Sequence, residues 1–126
     1  MSDERLRLRR VADDTVLCDR LILGESFWQR FRGLMGRAAL AEDEGLYLAS
    51  NSIHMFFMQF PIDALFVSEA DAEGRRTVVG LRNELPPWRG LVLPVRGAQG
   101  VIELDAGSLA RASVAVDDVV VFEPAA

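Results

Sequence analysis

Lysine is missing from this chain, and all fourteen of its basic residues are arginine. An arginine stays charged at every working pH, so Schiff-base chemistry, a lysine general base and the phosphate-binding lysine of a P-loop are all excluded. A single cysteine, Cys18, rules out an intramolecular disulfide and cannot by itself build a thiolate zinc cage or a CxxC redox pair. A single histidine, His54, removes every metal site built on several imidazoles and leaves one side chain that titrates near neutrality without strong perturbation. No apolar stretch reaches the roughly 18 residues needed to cross a bilayer, and the start, Met1 to Arg10, lacks the apolar run of a secretory signal. The cytoplasm is the expected compartment.

What is present describes an ordinary folded domain. The 126 residues are half apolar and about a quarter charged, and a chain of this length buries roughly two thirds of its unfolded surface. One domain spanning residues 1–126 is expected. A net charge of −5 argues against wrapping a phosphate backbone. The amino-terminal run Arg5, Arg7, Arg9, Arg10 alternates with Leu6 and Leu8, the period of a half-buried strand with its arginines in water, so neither a nucleic acid nor a membrane is expected as partner.

Residues 5–11 and 15–23 read as an opening hairpin around Ala12-Asp13-Asp14. Ser26 to Gln29 has the order of a capping box, and Phe27, Phe31 and Leu34 repeat at helical spacing, predicting a helix over 27–35 that stops at Gly36. A loop over 37–44 leads to a strand over 45–49. Residues 55–60 and 63–67 form a β-like pair parted by Pro61, and the acidic stretch 69–74 is a turn before a strand over 76–81. Leu85 to Gly90 is irregular because of Pro86-Pro87. Strands follow over 91–94, 99–104 and 117–123, with a helical turn over 107–112. Many short strands and two short helices predict a mainly β (α+β) single domain, a small barrel or sandwich-like fold.

The order Arg30-Phe31-Arg32-Gly33-Leu34-Met35-Gly36-Arg37, then Gly45-Leu46, His54, the block Met58 to Phe66 with its Pro61-Ile62-Asp63, and finally Val101 to Gly107 resembles the bacterial and archaeal domain of unknown function 192 family over about residues 20–122. The resemblance implies a compact β-rich fold and supplies no reaction, cofactor or catalytic residue. Two departures stand out. Phe57 and Gln59-Phe60 replace the family's usual tryptophan and asparagine-threonine around the central methionine, and Asp117-Asp118 replaces a Gly-Asp turn. The latter loses a residue tolerant of positive φ, so an altered last turn is expected.

The residues themselves permit little catalysis. Neither a G-x-S-x-G elbow nor a phosphate-cradling glycine loop is present, and Cys18 lies in the apolar run Val16-Leu17-Cys18, where a buried thiol is inert. A metal held by His54, Asp63, Glu103 and Cys18 is conceivable, but no ligand spacing announces it, so neither metal nor cofactor is expected. Asp63 sits inside the apolar block 56–67 and needs a partner; Arg32 or Arg37 is the natural one, and Arg32 is expected to form a charge-assisted pair tying the helix to the central strands. The dense Met55 to Phe60 segment is either buried or half-open as an apolar groove, with Trp88 as its lid. The reading favoured is a small binding or interaction domain. Its pocket would be lined by His54, Met58 and Trp88, with Arg32 and Asp63 at the polar edge, and would take a small molecule, a peptide segment or the surface of a protein partner. A hydrolase or transferase using His54 as general base with Asp63 or Glu103 assisting, and an accessory protein without a pocket, are the rivals. The sequence leaves ligand and oligomeric state open.

Overall fold

Leu6 and Leu8 face inward and Arg7 and Arg9 outward along the first strand, β1 (Leu6–Arg10), which pairs antiparallel with β2 (Val16–Leu23). The computed structural model describes residues 5–24, 40–54 and 60–125, with His54 by its backbone alone. The β1–β2 turn is held by Asp13, whose carboxylate accepts the Thr15 N–H at 3.1 Å. β3 (Glu44–Leu48) then runs parallel to β2, and β4 (Ile53–His54), β5 (Ile62–Val67), β6 (Arg75–Leu85), β7 (Leu91–Val92) and β8 (Gly100–Asp105) follow. A short helix α1 (Ser108–Arg111) precedes β9 (Val119–Pro124).

Seven strands close into a barrel in the order β1-β2-β3-β8-β5-β6-β9, and β9 returns to β1 with Leu6 opposite Pro124 and Arg10 opposite Val120. Closure leaves no open sheet edge in the barrel. β4 and β7 form a separate two-stranded ribbon. The fold is thus the mainly β domain expected, a barrel rather than a sandwich.

Two apolar layers result. Leu8, Cys18, Leu65, Val78, Ile102, Leu104 and Val120 belong to the cluster that fills the barrel, with Leu109 of α1 packed among them. Leu46, Leu48, Ile62, Ala64, Phe66 and Val101, from β3, β5 and β8, form a second cluster on the other face of the wall with Leu40, Ile53, Phe60, Leu85 and Val92. Every residue of β5 is therefore buried, which explains why its sequence runs apolar without alternation. Where Arg76 stacks over the rings of Tyr47 and Phe122, its Nη1 also donates to the Ser68 carbonyl.

The helical turn expected over 107–112 is α1, whereas the helix expected over 27–35 and most of the strand expected over 55–60 lie outside the described residues. β6 runs to Leu85, beyond the expected end at 81, and is kinked against β5 by two register shifts. The last turn keeps a left-handed residue in spite of the missing glycine: Asp117 itself takes φ 81°, a conformation aspartate tolerates better than most residues. No helix among the described residues is long and apolar enough to cross a membrane.

Candidate functional site

Asp63 is 0% exposed. It shares a face of β5 with Leu65 and Val67, toward the barrel interior. Its carboxylate is satisfied by backbone: Oδ1 accepts the Glu84 N–H at 2.8 Å, and Oδ2 accepts those of Gly107 at 3.1 Å and Leu109 at 2.9 Å. Glu84, at φ 51°, lies in the β6 stretch where the register against β5 shifts. Gly107 is the N-cap of α1 and has no side chain to cap with, so Asp63 supplies the cap from another strand. Arg32, expected as its partner, lies outside the described residues. The three N–H groups already compensate the buried charge.

Glu103 occupies the other side of the same wall. It lies on β8 between Leu46 of β3 and Ala64 of β5, both members of the outer cluster, and is 6% exposed. Burial alone pushes its pKa up to about 7. A carboxyl set in an apolar wall and poised near neutrality can accept a hydrogen bond from a ligand, pair with a cation, or exchange a proton. In the sequence Glu103 is singled out only as a group assisting His54 or as a conceivable metal ligand. The available signal was the strand Val101-Ile102-Glu103-Leu104, where an acid interrupts a run buried on both faces.

The remaining candidates are distributed around this layer. The backbone of His54 in β4 pairs with Leu91 of β7, while Ile53 pairs with Val92, and both Ile53 and Val92 are buried in the outer cluster. Trp88, just before β7, is 51% exposed and holds φ at 66°. Met58 lies outside the described residues, as Arg32 does. The structure therefore brings the ribbon of His54 onto the face that carries Glu103, and places Asp63 on the opposite face.

Cys18 is buried among apolar side chains, which pushes its thiol up to about 12, so it fills space as expected and supplies no nucleophile. Among the described residues no three histidine, cysteine, aspartate or glutamate side chains converge as a metal site requires. The amino-terminal arginines are paired within the chain: Arg7 and Arg9 share Glu123, Arg10 meets Asp13 and Asp118, and Arg5 meets Asp19. An open depression of about 530 Å³ is lined by Glu69, Asp71, Asp117 and Asp118 with Arg75. Two of its acids maintain turns: Asp71 accepts the N–H groups of Glu73 and Arg75, and Asp118 that of Ala115.

These features define a small closed β-barrel carrying a second apolar layer on the outer face of three strands. The chain belongs to the domain of unknown function 192 family, described as an uncharacterized ACR, whose model matches residues 11–122. It is 33% identical over 109 residues to a UPF0127 protein of Thermococcus sibiricus, a match covering 82% of this chain and 66% of that protein, so the chain spans just under two thirds of that relative's length. Among solved structures, a protein of Sinorhizobium meliloti 1021 provisionally described as a transcription regulator matches with a TM-score of 0.67 at 26% identity, over 97% of this chain and 93% of that one. A protein of unknown function from Novosphingobium aromaticivorans matches with a TM-score of 0.69 at 24% identity, over 92% of this chain and 82% of that one, a likeness of fold.

Proposed function

We propose that the chain is a binding domain for a small, largely apolar ligand bearing an amine or another hydrogen-bond donor. The site is the outer face of the β3-β8-β5 wall. One observation carries this reading: Glu103, 6% exposed, stands in that wall among apolar side chains, and burial raises its carboxyl to about 7, where it can accept from a donor or pair with a cation. His54, Met58, Trp88 and Arg32 are proposed as its rim, and Asp63 as the frame beneath. The test is thermal unfolding with a metabolite panel sorted by charge and by donor groups. Amine- or donor-bearing apolar compounds should raise the melting temperature of the wild type and leave Glu103→Leu unmoved, because a ligand selective for the native state stabilises it by mass action. A cooperative transition that no class of compound shifts would sink the reading.

A hydrolase or transferase with His54 as general base and Glu103 assisting is the second reading, favoured by the near-neutral carboxyl. Turnover of ester, amide or phosphoester probes that vanishes in both Glu103→Gln and His54→Gln would favour it over simple binding. The regulator description of the Sinorhizobium protein is not carried over, since the amino-terminal arginines are neutralised internally and the net charge is −5.

A further inference from the structure

From Leu85 to Ile102 the chain carries no acidic residue, although nineteen acids are distributed over the rest. Within this stretch Gly90 and Val92 are buried, while Arg89, Leu91 and Leu93 alternate with them on the exposed face of β7 and its extensions. Leu91 is 61% and Leu93 72% exposed, values that mean protrusion into solvent. Trp88 adjoins them with its backbone at φ 66°, a conformation costly for a bulky residue and commonest where a site maintains it. Arg89 and Arg96 flank the leucines and, among the described residues, meet no carboxylate, in contrast to the ion-paired arginines of β1 and β2.

We infer that this face of residues 88–96 docks on an anionic lipid bilayer, with Leu91 and Leu93 entering the headgroup boundary, Trp88 lying at the interface and Arg89 and Arg96 against lipid phosphates. Charge complementarity selects an anionic partner, and shape selects the bilayer. An acidic peptide needs a recess for its side chains, whereas protruding leucines beside a tryptophan and arginines suit insertion into a lipid interface. The stretch itself contains no acid, and salt screens exposed charges over about 8 Å at physiological ionic strength. The expectation that no membrane is a partner rested on the absence of a spanning run and on the amino-terminal arginines, and among the described residues no helix is long and apolar enough to cross a membrane; docking at the surface needs none.

The test is co-sedimentation of the full chain with vesicles of phosphatidylcholine alone or mixed with phosphatidylglycerol. The wild type should pellet with the mixed vesicles and stay in solution with the neutral ones. Leu91→Ser with Leu93→Ser, both exposed and so expected to leave thermal unfolding unchanged, should weaken binding by about tenfold or more. Arg89→Gln should weaken it by about fivefold. Recovery of the wild type in the supernatant with mixed vesicles overturns the proposal, as does pelleting that the leucine changes leave untouched. Soluble polyglutamate that displaces the protein from vesicles at low concentration, and binds the leucine variant equally well, would identify an acidic protein surface as the true occupant and overturn it too.

Discussion

Asp63 and Glu103 lie on adjacent strands and face opposite ways, and the backbone around them decides their different fates. Asp63 collects three N–H donors, that of Leu109 buried and those of Glu84 and Gly107 partly buried, so its removal strands the first and leaves the others to water; a buried orphan costs about 1–3 kcal/mol, and Asp63→Ala should lose about that much or more in denaturant unfolding. A loss within a few tenths would mean that water replaces the carboxylate. Glu103 has the reverse problem, since burial favours its protonated form. Its carboxyl ordinarily titrates near 4.5 and is raised to about 7 in the fold, so between those values the native state binds a proton that the unfolded chain has released. This contribution is full below pH 4.5, declines as pH rises and is gone above about 7, a fall of roughly 3 kcal/mol. Glu103→Gln should flatten that decline when stability is measured at pH 5 and pH 8. Asp13, Asp71 and Glu123 are held below the usual carboxylate range by the Arg10 side chain, the Arg75 N–H and the Arg7 side chain respectively, and so titrate outside this window. Sequence made Asp63 conspicuous as an acid in an apolar block, but its partners are main-chain groups of distant segments, which no side-chain pattern announces.

At the level of elements, pairing overrides local preference. The strand expected over 76–81 stops short of Arg82, Asn83 and Glu84, yet β6 continues through them because Arg82 pairs with Ala64 and Leu85 with Ile62. The hairpin of β1 and β2, the turn over 69–74 and the strands around 45–49, 63–67, 99–104 and 117–123 were legible because alternation, Asp-rich turns and glycine are local signals. That β2 and β3 run parallel was not, since register between distant strands depends on both partners. Neither was the doubling of apolar layers, because a strand buried on both faces reads only as a hydrophobic run. Close packing between β3 and β8 gives a direct test: a Cβ on Gly100 would overlap the ring of Tyr47. Gly100→Ala should therefore destabilise by about 1–3 kcal/mol, and Tyr47→Leu in the same chain should recover part of that loss. Equal effects of Gly100→Ala with and without the ring would remove the clash as the cause.

For the whole molecule, closure by β1 and β9 brings residues from opposite ends of the chain together, with the Ala125 N–H bonded to the Arg5 carbonyl at 2.7 Å. A permuted chain with a short linker across that gap and new ends in the exposed turn at Asp71–Gly74 should fold with a cooperative transition, because no buried backbone is cut there. Failure to fold would place an essential early contact in the β5–β6 hairpin. The same closure has a mechanical consequence. Because Leu6 lies opposite Pro124 and the chain leaves both strands at that end, a pull on residues 5 and 125 bears on one rung of the seam at a time instead of shearing all of them together. The barrel should open like a zipper, at low force, along the join between its first and last strands, however stable it is against heat.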